Sequence, residues 1–148
     1  MVCATAFHRV DACRPLCPGC TRLRPGGLLA VWWTLFGDPS HHSPSRDRVD
    51  AIASQRDGPR GVSSGPLDTA SWLGSLTEHG WFKPVYTEQF RWSVDLTPAQ
   101  VHDLFSTFNG WPGDEIDEVT AAAVECAGAA GVVTERYVTA LYVCRARH

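Results

Sequence analysis

The sequence has no long hydrophobic run. None of its apolar stretches approaches the roughly 20 residues that a helix needs to span a bilayer, and its first residues lack the charged-then-apolar order of a signal peptide. We therefore expect a cytoplasmic protein without a membrane partner. In that compartment cysteines remain free thiols by default, which is the expectation for the six in this chain: Cys3, Cys13, Cys17, Cys20, Cys126 and Cys144.

The sequence also lacks a strong net charge. Lys and Arg together number 13 against 16 Asp and Glu, which gives a formal net charge of -3. Such a balance creates no basic field of the kind that attracts nucleic acid, so we expect no nucleic-acid partner. The charges are spread unevenly, because residues 1 to 61 are mildly basic and the rest of the chain is acidic.

Several motifs that would define an enzyme class are missing. No G-x-S-x-G segment offers a nucleophile elbow, and no Walker-type loop offers a phosphate site. No G-x-G segment lies between a predicted strand and a predicted helix either, so the glycine-rich turn that lets backbone amides approach a nucleotide is absent. With 148 residues, of which 44% are hydrophobic, the chain nonetheless has ordinary single-domain size.

The first half of the chain contains two apolar segments that are typical of buried parallel strands. Residues 2 to 7 form a short one, and the run Leu28 to Phe36 is apolar almost throughout, as expected for a strand covered on both faces. Between them, segment 9 to 21 contains prolines, arginines and cysteines that give it poor helix propensity. From Gly37 to Pro66 the composition favours a mobile loop, with a brief helix at Val49 to Ala53.

The second half alternates helix and strand signals. The pattern first predicts a helix at about 68 to 79, with Gly80 as its cap, and then a strand near Phe82 to Trp92. A second helix is predicted to begin at Thr97, with a capping box to Gln100. A third helix is predicted from near Asp114 to Gly131, and a final strand at 132 to 144.

Four segments, in chain order, resemble the closing part of the class I S-adenosylmethionine-dependent methyltransferases of the type 11 kind. "ATAFH" at 4 to 8 is similar to the family's fourth strand, "RLRPGGLLAVWW" at 22 to 33 to its fifth, "LTEHGWFKPVYTEQFRW" at 76 to 92 to its helix and sixth strand, and "VTALYVCRAR" at 138 to 147 to its seventh. The resemblance implies an α/β fold, a partial Rossmann-like methyltransferase fold. It also implies that the seventh strand lies antiparallel next to the fifth.

The resemblance covers nearly the whole chain but leaves out the family's first three strands. A full member has a glycine-rich turn after its first strand and an acidic residue that ends its second, and the sequence offers neither. We therefore expect one truncated domain over 1 to 148: a strand-crossover-strand part at 1 to 36, a mobile loop at 37 to 66 and a C-terminal α/β part at 67 to 148. The implied cofactor is S-adenosylmethionine, and we expect this chain alone to bind it poorly and to be inactive.

The resemblance also points to site residues. The end of the family's fourth strand borders the cofactor, which implies a cofactor-binding role for Ala6, Phe7 and His8; the alternative for His8 is a polar residue that only ends a strand. Trp33 and Phe36, at the carboxyl end of the fifth strand, are predicted to contact the substrate, with core packing as the alternative. No residue is assigned a catalytic role.

The remaining cysteine and histidine clusters receive no functional assignment. Cys13, Cys17 and Cys20 are zinc-ligand types, but their spacing lacks the paired C-x2-C units of common zinc fingers, so we predict no metal site. The segment that contains them is interpreted as a crossover scrambled by a local change of reading frame. His41 and His42 lie in a Ser/Pro loop and are predicted to be solvated.

Two functions from different classes follow. The first is a truncated methyltransferase-like protein, whose parent family transfers a methyl group to an acceptor that the sequence does not identify. The second is a non-catalytic interaction module. Without the first three strands, the strand at 2 to 7 becomes an exposed apolar edge, and such edges pair with other chains. The partner would be a second copy, giving a homodimer, or a separately encoded N-terminal half.

Overall fold

A computed structural model describes residues 2–4, 23–55, 65 and 67–147 of the chain. The described residues fall into two compact units. Unit 1 takes in the described residues up to Phe36, those from 65 to Arg91 and those from Val138 onward, and unit 2 takes in 37–55 and 92–137. Within these residues, no helix combines the length and the apolar character needed to cross a membrane.

Four strands form one sheet, in the order β1, β2, β4, β3. Their bounds are Val2–Ala4 for β1, Leu28–Phe36 for β2, Phe82–Leu96 for β3 and Val133–Ala146 for β4. Strand β1 runs parallel to β2, with Val2 opposite Ala30 and Ala4 opposite Trp32. The bounds of β2 are those predicted, because an uninterrupted apolar run is a strong strand signal.

The last strand lies between β2 and β3 and is antiparallel to β2. Ala146, at the end of β4, accepts a hydrogen bond from the Gly26 amide at 3.0 Å and donates one to the Gly27 carbonyl at 2.8 Å, just before β2 begins. Toward the other end of the pair, the hydroxyls of Thr34 and Thr139 are 3.0 Å apart. The sequence predicted that the last strand lies antiparallel next to the strand that follows Pro25, Gly26 and Gly27. This prediction is therefore confirmed.

Unit 1 has its core on β2, β4 and helix α2, which spans Thr69–Thr77. The Asp68 side chain caps α2 by accepting a hydrogen bond from the Ser71 amide at 3.0 Å. The helix matches its prediction, except that Glu78 rather than Gly80 occupies the position after its last turn. The buried core consists of Leu29, Val31, Trp33, Leu76, Phe82, Ala140, Tyr142, Cys144 and Ala146.

Unit 2 contains a helix that the sequence pattern underestimated. Helix α1 spans Pro44–Ser54, so the stretch predicted as a loop with a brief helix at Val49 to Ala53 contains eleven helical residues. Two local signals explain the longer helix: the Ser43 side chain accepts a hydrogen bond from the Arg46 amide at 3.1 Å, and Pro44 occupies the first turn, where its missing N–H is harmless. Residues 56–64 lie outside the described part of the chain.

Two further helices complete unit 2. Helix α3 spans Pro98–Ser106 and begins with the predicted capping box between Thr97 and Gln100. Helix α4 spans Gly113–Ala127 and ends before the predicted stop. A 3-10 turn then occupies the next three residues up to Ala130, because Gly128 adopts a φ of 50° that few other residues adopt.

The buried positions of β4 change parity along the strand. In unit 2 the buried residues are Val133, Glu135 and Tyr137. In unit 1 the buried residues are even-numbered: Val138, Ala140, Tyr142, Cys144 and Ala146. Each part alternates as a strand with one covered face does. Cys144 is fully buried, as its position in the apolar pattern predicted, whereas Cys126 is only partly buried.

Candidate functional site

The candidate site lies in unit 2, in the loop that follows the carboxyl end of β2. In open α/β sheets, ligands bind outside the carboxyl ends of the parallel strands, and this loop follows such an end. Five polar side chains gather here, and we refer to them as the strand-end cluster: Asp38, His41, Ser45, Arg46 and Glu135.

Asp38 is buried, and its carboxylate organises the loop. One oxygen accepts hydrogen bonds from the Ser40 amide at 2.9 Å and from the Ser40 hydroxyl at 2.6 Å. The other oxygen lies 3.4 Å from Nδ1 of His41. An aspartate that bonds the backbone two residues later is a standard turn former, so Asp38 fixes the path of the chain between β2 and α1.

Glu135 is the second buried carboxylate of the cluster, with 4% of its surface exposed. The Ser45 hydroxyl, in the first turn of α1, donates to its Oε1 at 3.2 Å. Burial raises the pKa of the Glu135 carboxyl, and the Ser45 hydrogen bond and the Arg46 charge oppose that rise. The folded environment therefore favours protonation of Glu135 more than water does.

Arg46 packs against the backbone of the same loop. A Cβ placed on Gly37 would lie 2.8 Å from the Arg46 Nε, and Gly37 itself has a φ of 88°. The positive φ favours glycine at this position, because other residues rarely adopt it, and a larger residue would also displace the end of the Arg46 side chain. The Arg46 guanidinium also pairs with Asp50 at 2.8 Å, four residues later on α1.

The strand-end cluster borders a hollow of about 220 Å³ that is partly open to solvent. Its narrow interior has room for about one water molecule. It is lined by Gly37, Asp38, His41, Ser43, Arg46, Thr134, Glu135 and Arg136. This arrangement can hold a water or one polar group of a ligand, and Glu135 can exchange a proton with it. A nucleoside cofactor does not fit such a hollow, so no chemical step through S-adenosylmethionine is derived for it.

A second, more open hollow lies in unit 1. It has a volume of about 470 Å³ and is lined by Thr69, Thr87, Glu88, Gln89, Leu141 and Tyr142. Burial raises the pKa of the Tyr142 hydroxyl, and its hydrogen bond with Thr69 opposes that rise. The Gln89 amide donates to the Leu67 carbonyl at 3.3 Å. This hollow is shallow, whereas good ligand sites enclose most of their ligand.

The predicted substrate residues, Trp33 and Phe36, belong to unit 1. Trp33 is 4% exposed, and in unit 1 its ring centroid lies 4.0 Å from that of Trp72 and 5.9 Å from that of Tyr142. This is the packing of a core aromatic. Phe36 is partly buried at the end of β2. Their contact with a substrate stays a prediction.

The other predicted site residues are not among those described. Ala6, Phe7 and His8 lie outside the described residues, as do Cys13, Cys17 and Cys20. Within the part of the chain that the structure does describe, no group of three or more His, Cys, Asp or Glu side chains could hold a metal ion. His41 and His42 are exposed, as predicted for a solvated loop, although His41 also faces Asp38.

The sequence pattern did not reveal the strand-end cluster. Asp38 and Glu135 are far apart in the chain, and only the fold brings them to one hollow. One signal was present: Glu135 alternates with Val133 and Tyr137, which are both buried. An acid in the buried register of a strand requires a partner, and Ser45 and Arg46 provide it.

Comparison with solved structures identifies a similar fold. A structure described as "a Putative Type II Methyltransferase from Anaeromyxobacter dehalogenans" superposes with a TM-score of 0.59 at 16% sequence identity. The match covers 97% of this chain and 63% of the other, so this chain spans less than two thirds of that protein's length. No protein-family model and no curated protein matches the sequence. The described part of the chain therefore has a mixed α/β fold that is similar to the fold of that structure.

Proposed function

We propose that this chain is the acceptor-side portion of an S-adenosylmethionine-dependent methyltransferase of class I, and that it does not transfer methyl groups by itself. In this proposal the reaction of the complete fold is methyl transfer to a small molecule. The portion contributed here contains the equivalents of the family's fourth to seventh strands. The family's first three strands, with their glycine-rich turn, are not among the segments that the resemblance covers.

The order of the strands is the observation that carries the proposal. A parallel pair, β1 and β2, is followed by an antiparallel strand from the end of the chain that separates β2 from β3. Strand β4 follows β3 in the chain but lies between β2 and β3 in the sheet. An antiparallel strand inserted in this way distinguishes the methyltransferase kind of sheet from a purely parallel doubly wound sheet. The similarity to a methyltransferase structure over 97% of the chain supports the same interpretation.

The strand-end cluster has a positioning role in this proposal. Its carboxylates bond Ser40, His41 and Ser45, and so hold the loop after β2 and the start of α1 in place. Trp33 and Phe36 would border the acceptor, and Ala6, Phe7 and His8 would border the methionine end of the cofactor. No residue of the cluster is assigned to the chemical step, because its carboxylates and Arg46 are held by hydrogen bonds and ion pairs within the protein.

Isothermal titration calorimetry with S-adenosylmethionine tests the inactivity of the chain alone. We expect no binding in the micromolar range, because no glycine-rich turn is present to approach the nucleoside. An intact methyltransferase titrated under the same conditions is the positive control. Micromolar binding by the chain alone would show that its residues form a cofactor site without the family's first three strands.

A chimera tests the assignment to the acceptor side. The first three strands of a class I methyltransferase, joined ahead of residue 1, are expected to give a folded protein that binds S-adenosylmethionine. The matched control carries the same front half with its glycine-rich turn replaced by alanines. A chimera that folds cooperatively and still fails to bind the cofactor would contradict the proposal.

The exposed edge of β1 favours a second candidate function, a non-catalytic interaction module. Among the described strands, β1 is at one edge of the sheet and has β2 as its neighbour. The Val2 side chain is 70% exposed. A parallel strand is normally buried between neighbours, so an edge of this kind favours pairing with a separate N-terminal half or with a second copy.

Complementation tests whether the β1 edge is the contact with an N-terminal half. A separately expressed front half, carrying three strands and the glycine-rich turn, is expected to form a stable one-to-one complex with the chain, measured by light scattering. Val2→Asp should weaken that complex, whereas Val124→Asp, an exposed valine on α4, should not. A complex that tolerates both substitutions equally would exclude the β1 edge as the contact.

A further inference from the structure

The open hollow of unit 1 lies where α2, β3 and β4 meet. Its wall is formed by Thr69 at the start of α2, by residues 87–89 of β3, and by Leu141 and Tyr142 of β4. All of these residues belong to unit 1. The volume of the hollow, about 470 Å³, falls within the range of about 300–1,000 Å³ that is usual for small-molecule sites. The hollow is therefore large enough to receive a small molecule.

Two residues of the wall are held in place by the core of unit 1. Tyr142 is 1% exposed, and its ring packs edge-on against Trp33, with centroids 5.9 Å apart. Its hydroxyl is hydrogen-bonded with Thr69 in the first turn of α2. A wall that is ordered in this way loses little conformational freedom when a ligand binds.

Strand β3 contributes a carboxamide and a hydroxyl to the wall. The Gln89 amide nitrogen donates to the Leu67 carbonyl at 3.3 Å, which orients the carboxamide and directs its other polar groups elsewhere. The Thr87 side chain lies on the same face of β3 as Gln89, because residues two apart in a strand share a face. A hydroxyl and a carboxamide can each donate and accept hydrogen bonds. This side of the hollow can therefore bond a ligand that both donates and accepts.

Among the described residues of the wall, Glu88 is the charged one, and its side chain takes the other face of the strand. It stands between Thr87 and Gln89, so the alternation of side chains directs it away from them. On that other face its carboxylate accepts a hydrogen bond from the Tyr86 hydroxyl at 2.9 Å. A charged ligand would lose part of its hydration in the hollow without meeting a counter-charge, which is unfavourable. The wall therefore favours a neutral ligand.

We propose that this hollow binds a neutral polyhydroxylated molecule of the size of a monosaccharide. Sugar hydroxyls donate and accept hydrogen bonds, as do the groups that Thr69, Thr87 and Gln89 present. A planar base would instead need an exposed aromatic face to stack on, and the one aromatic ring in the described wall, that of Tyr142, is buried. Because the hollow is shallow, part of the ligand stays in water, so we expect a dissociation constant of about 1–10 mM. The proposal does not depend on the proposed function.

Proton–nitrogen correlation NMR of the full chain tests the proposal, with the side-chain amide of Gln89 as the reporter. D-glucose, D-galactose and D-mannose are titrated separately, and cyclohexanol, a ring of the same size with a single hydroxyl, is the control ligand. We expect saturable shifts of the Gln89 signal with at least one of the sugars and no saturation with cyclohexanol. The absence of saturable shifts with all of the sugars would overturn the proposal, and so would equally tight binding of cyclohexanol.

Two variants of β3 locate the bound sugar. Thr87→Val keeps the shape of the side chain and removes its hydroxyl, and it should raise the dissociation constant about three- to ten-fold through the lost hydrogen bond. Tyr86→Phe is the matched control, because it removes a hydroxyl from the other face of the same strand, and it should leave the constant within about two-fold of the original. Circular dichroism checks that both variants remain folded. If Thr87→Val left the dissociation constant unchanged, or if both variants raised it equally, the sugar would not occupy this hollow and the proposal would be wrong.

Discussion

Strands β3 and β4 have nearly the same length and very different surroundings. They contain 15 and 14 residues, and both include aromatic, β-branched and charged side chains. In β4 the buried positions alternate through both units, whereas in β3 most positions are exposed. Composition alone does not separate the two strands.

Their places in the sheet account for the difference. Strand β4 has β2 on one side and β3 on the other, and β3 has β4 as its one neighbour in the described sheet. Buried residues of β4 contribute to the core of unit 1, as Ala140, Tyr142 and Cys144 do, while β3 contributes Phe82. Similar substitutions in the two strands should therefore differ strongly in their effect on stability.

The largest contrast is expected between two tyrosines. Tyr142 in β4 is 1% exposed and packs against Trp33, whereas Tyr86 in β3 is 48% exposed. Tyr142→Ala should lower the free energy of unfolding by about 3–5 kcal/mol, because it leaves a cavity in the core. Tyr86→Ala should lower it far less, because the Tyr86 ring is exposed and the variant loses the hydrogen bond to Glu88 rather than core packing.

Urea denaturation followed by tryptophan fluorescence measures both changes. Tyr142→Phe is the control for the hydroxyl, since it keeps the ring in the core and removes only the hydrogen bond with Thr69. It should cost about 1 kcal/mol. Equal destabilisation by the two alanine variants would mean that the place of a strand in the sheet does not set its contribution to stability.

Much of the fold could be predicted from the sequence because its signals are local. The apolar run of β2 gives its bounds, and the Thr97 capping box gives the start of α3. The insertion of β4 between β2 and β3 followed from resemblance to a known family. Periodicity alone would not have given it, because strand order depends on contacts between residues far apart in the chain.

The differences have physical causes that can be named. Helix α1 was underestimated because its polar composition obscured the signal from Ser43 and Pro44 at its start. The strand-end cluster was missed because Asp38 and Glu135 meet only after the sheet has formed. The exposure of β3 was not anticipated either, because an alternating pattern predicts a strand and does not say which edge is paired.

A smaller effect distinguishes two exposed threonines, one in β3 and one directly after it. The Thr97 side chain accepts a hydrogen bond from the Gln100 amide at 3.3 Å, and the Gln100 side chain accepts one from the Thr97 amide at 2.9 Å. Thr97→Ala should lower the free energy of unfolding by about 1 kcal/mol, because the start of α3 loses its cap. Thr87→Ala, on the exposed strand, should change it by less than about 0.5 kcal/mol.

Thermal unfolding of the two variants checks this prediction. Thr97→Ser keeps a capping hydroxyl and should restore most of the stability that alanine removes. If Thr87→Ala proved as damaging as Thr97→Ala, strand propensity on the exposed edge would matter more than the helix cap, and β3 would be less tolerant than its exposure indicates.

The smallest expected effect is a pH dependence of stability that arises from Glu135 in β4. Burial raises the pKa of Glu135 in the folded state, so between its ordinary value and that raised value the folded chain binds more protons than the unfolded chain. The stability that the Glu135 carboxyl contributes is therefore fully present below about pH 4, and it is lost as the pH rises through the pKa of this group in the folded state.

Glu135→Gln removes this titration, so the stability of the original chain relative to the variant should decrease as the pH rises. Urea titrations at a series of pH values measure this difference, and a Glu135→Gln difference that rises with pH would mean that Ser45 and Arg46 outweigh burial at this carboxylate.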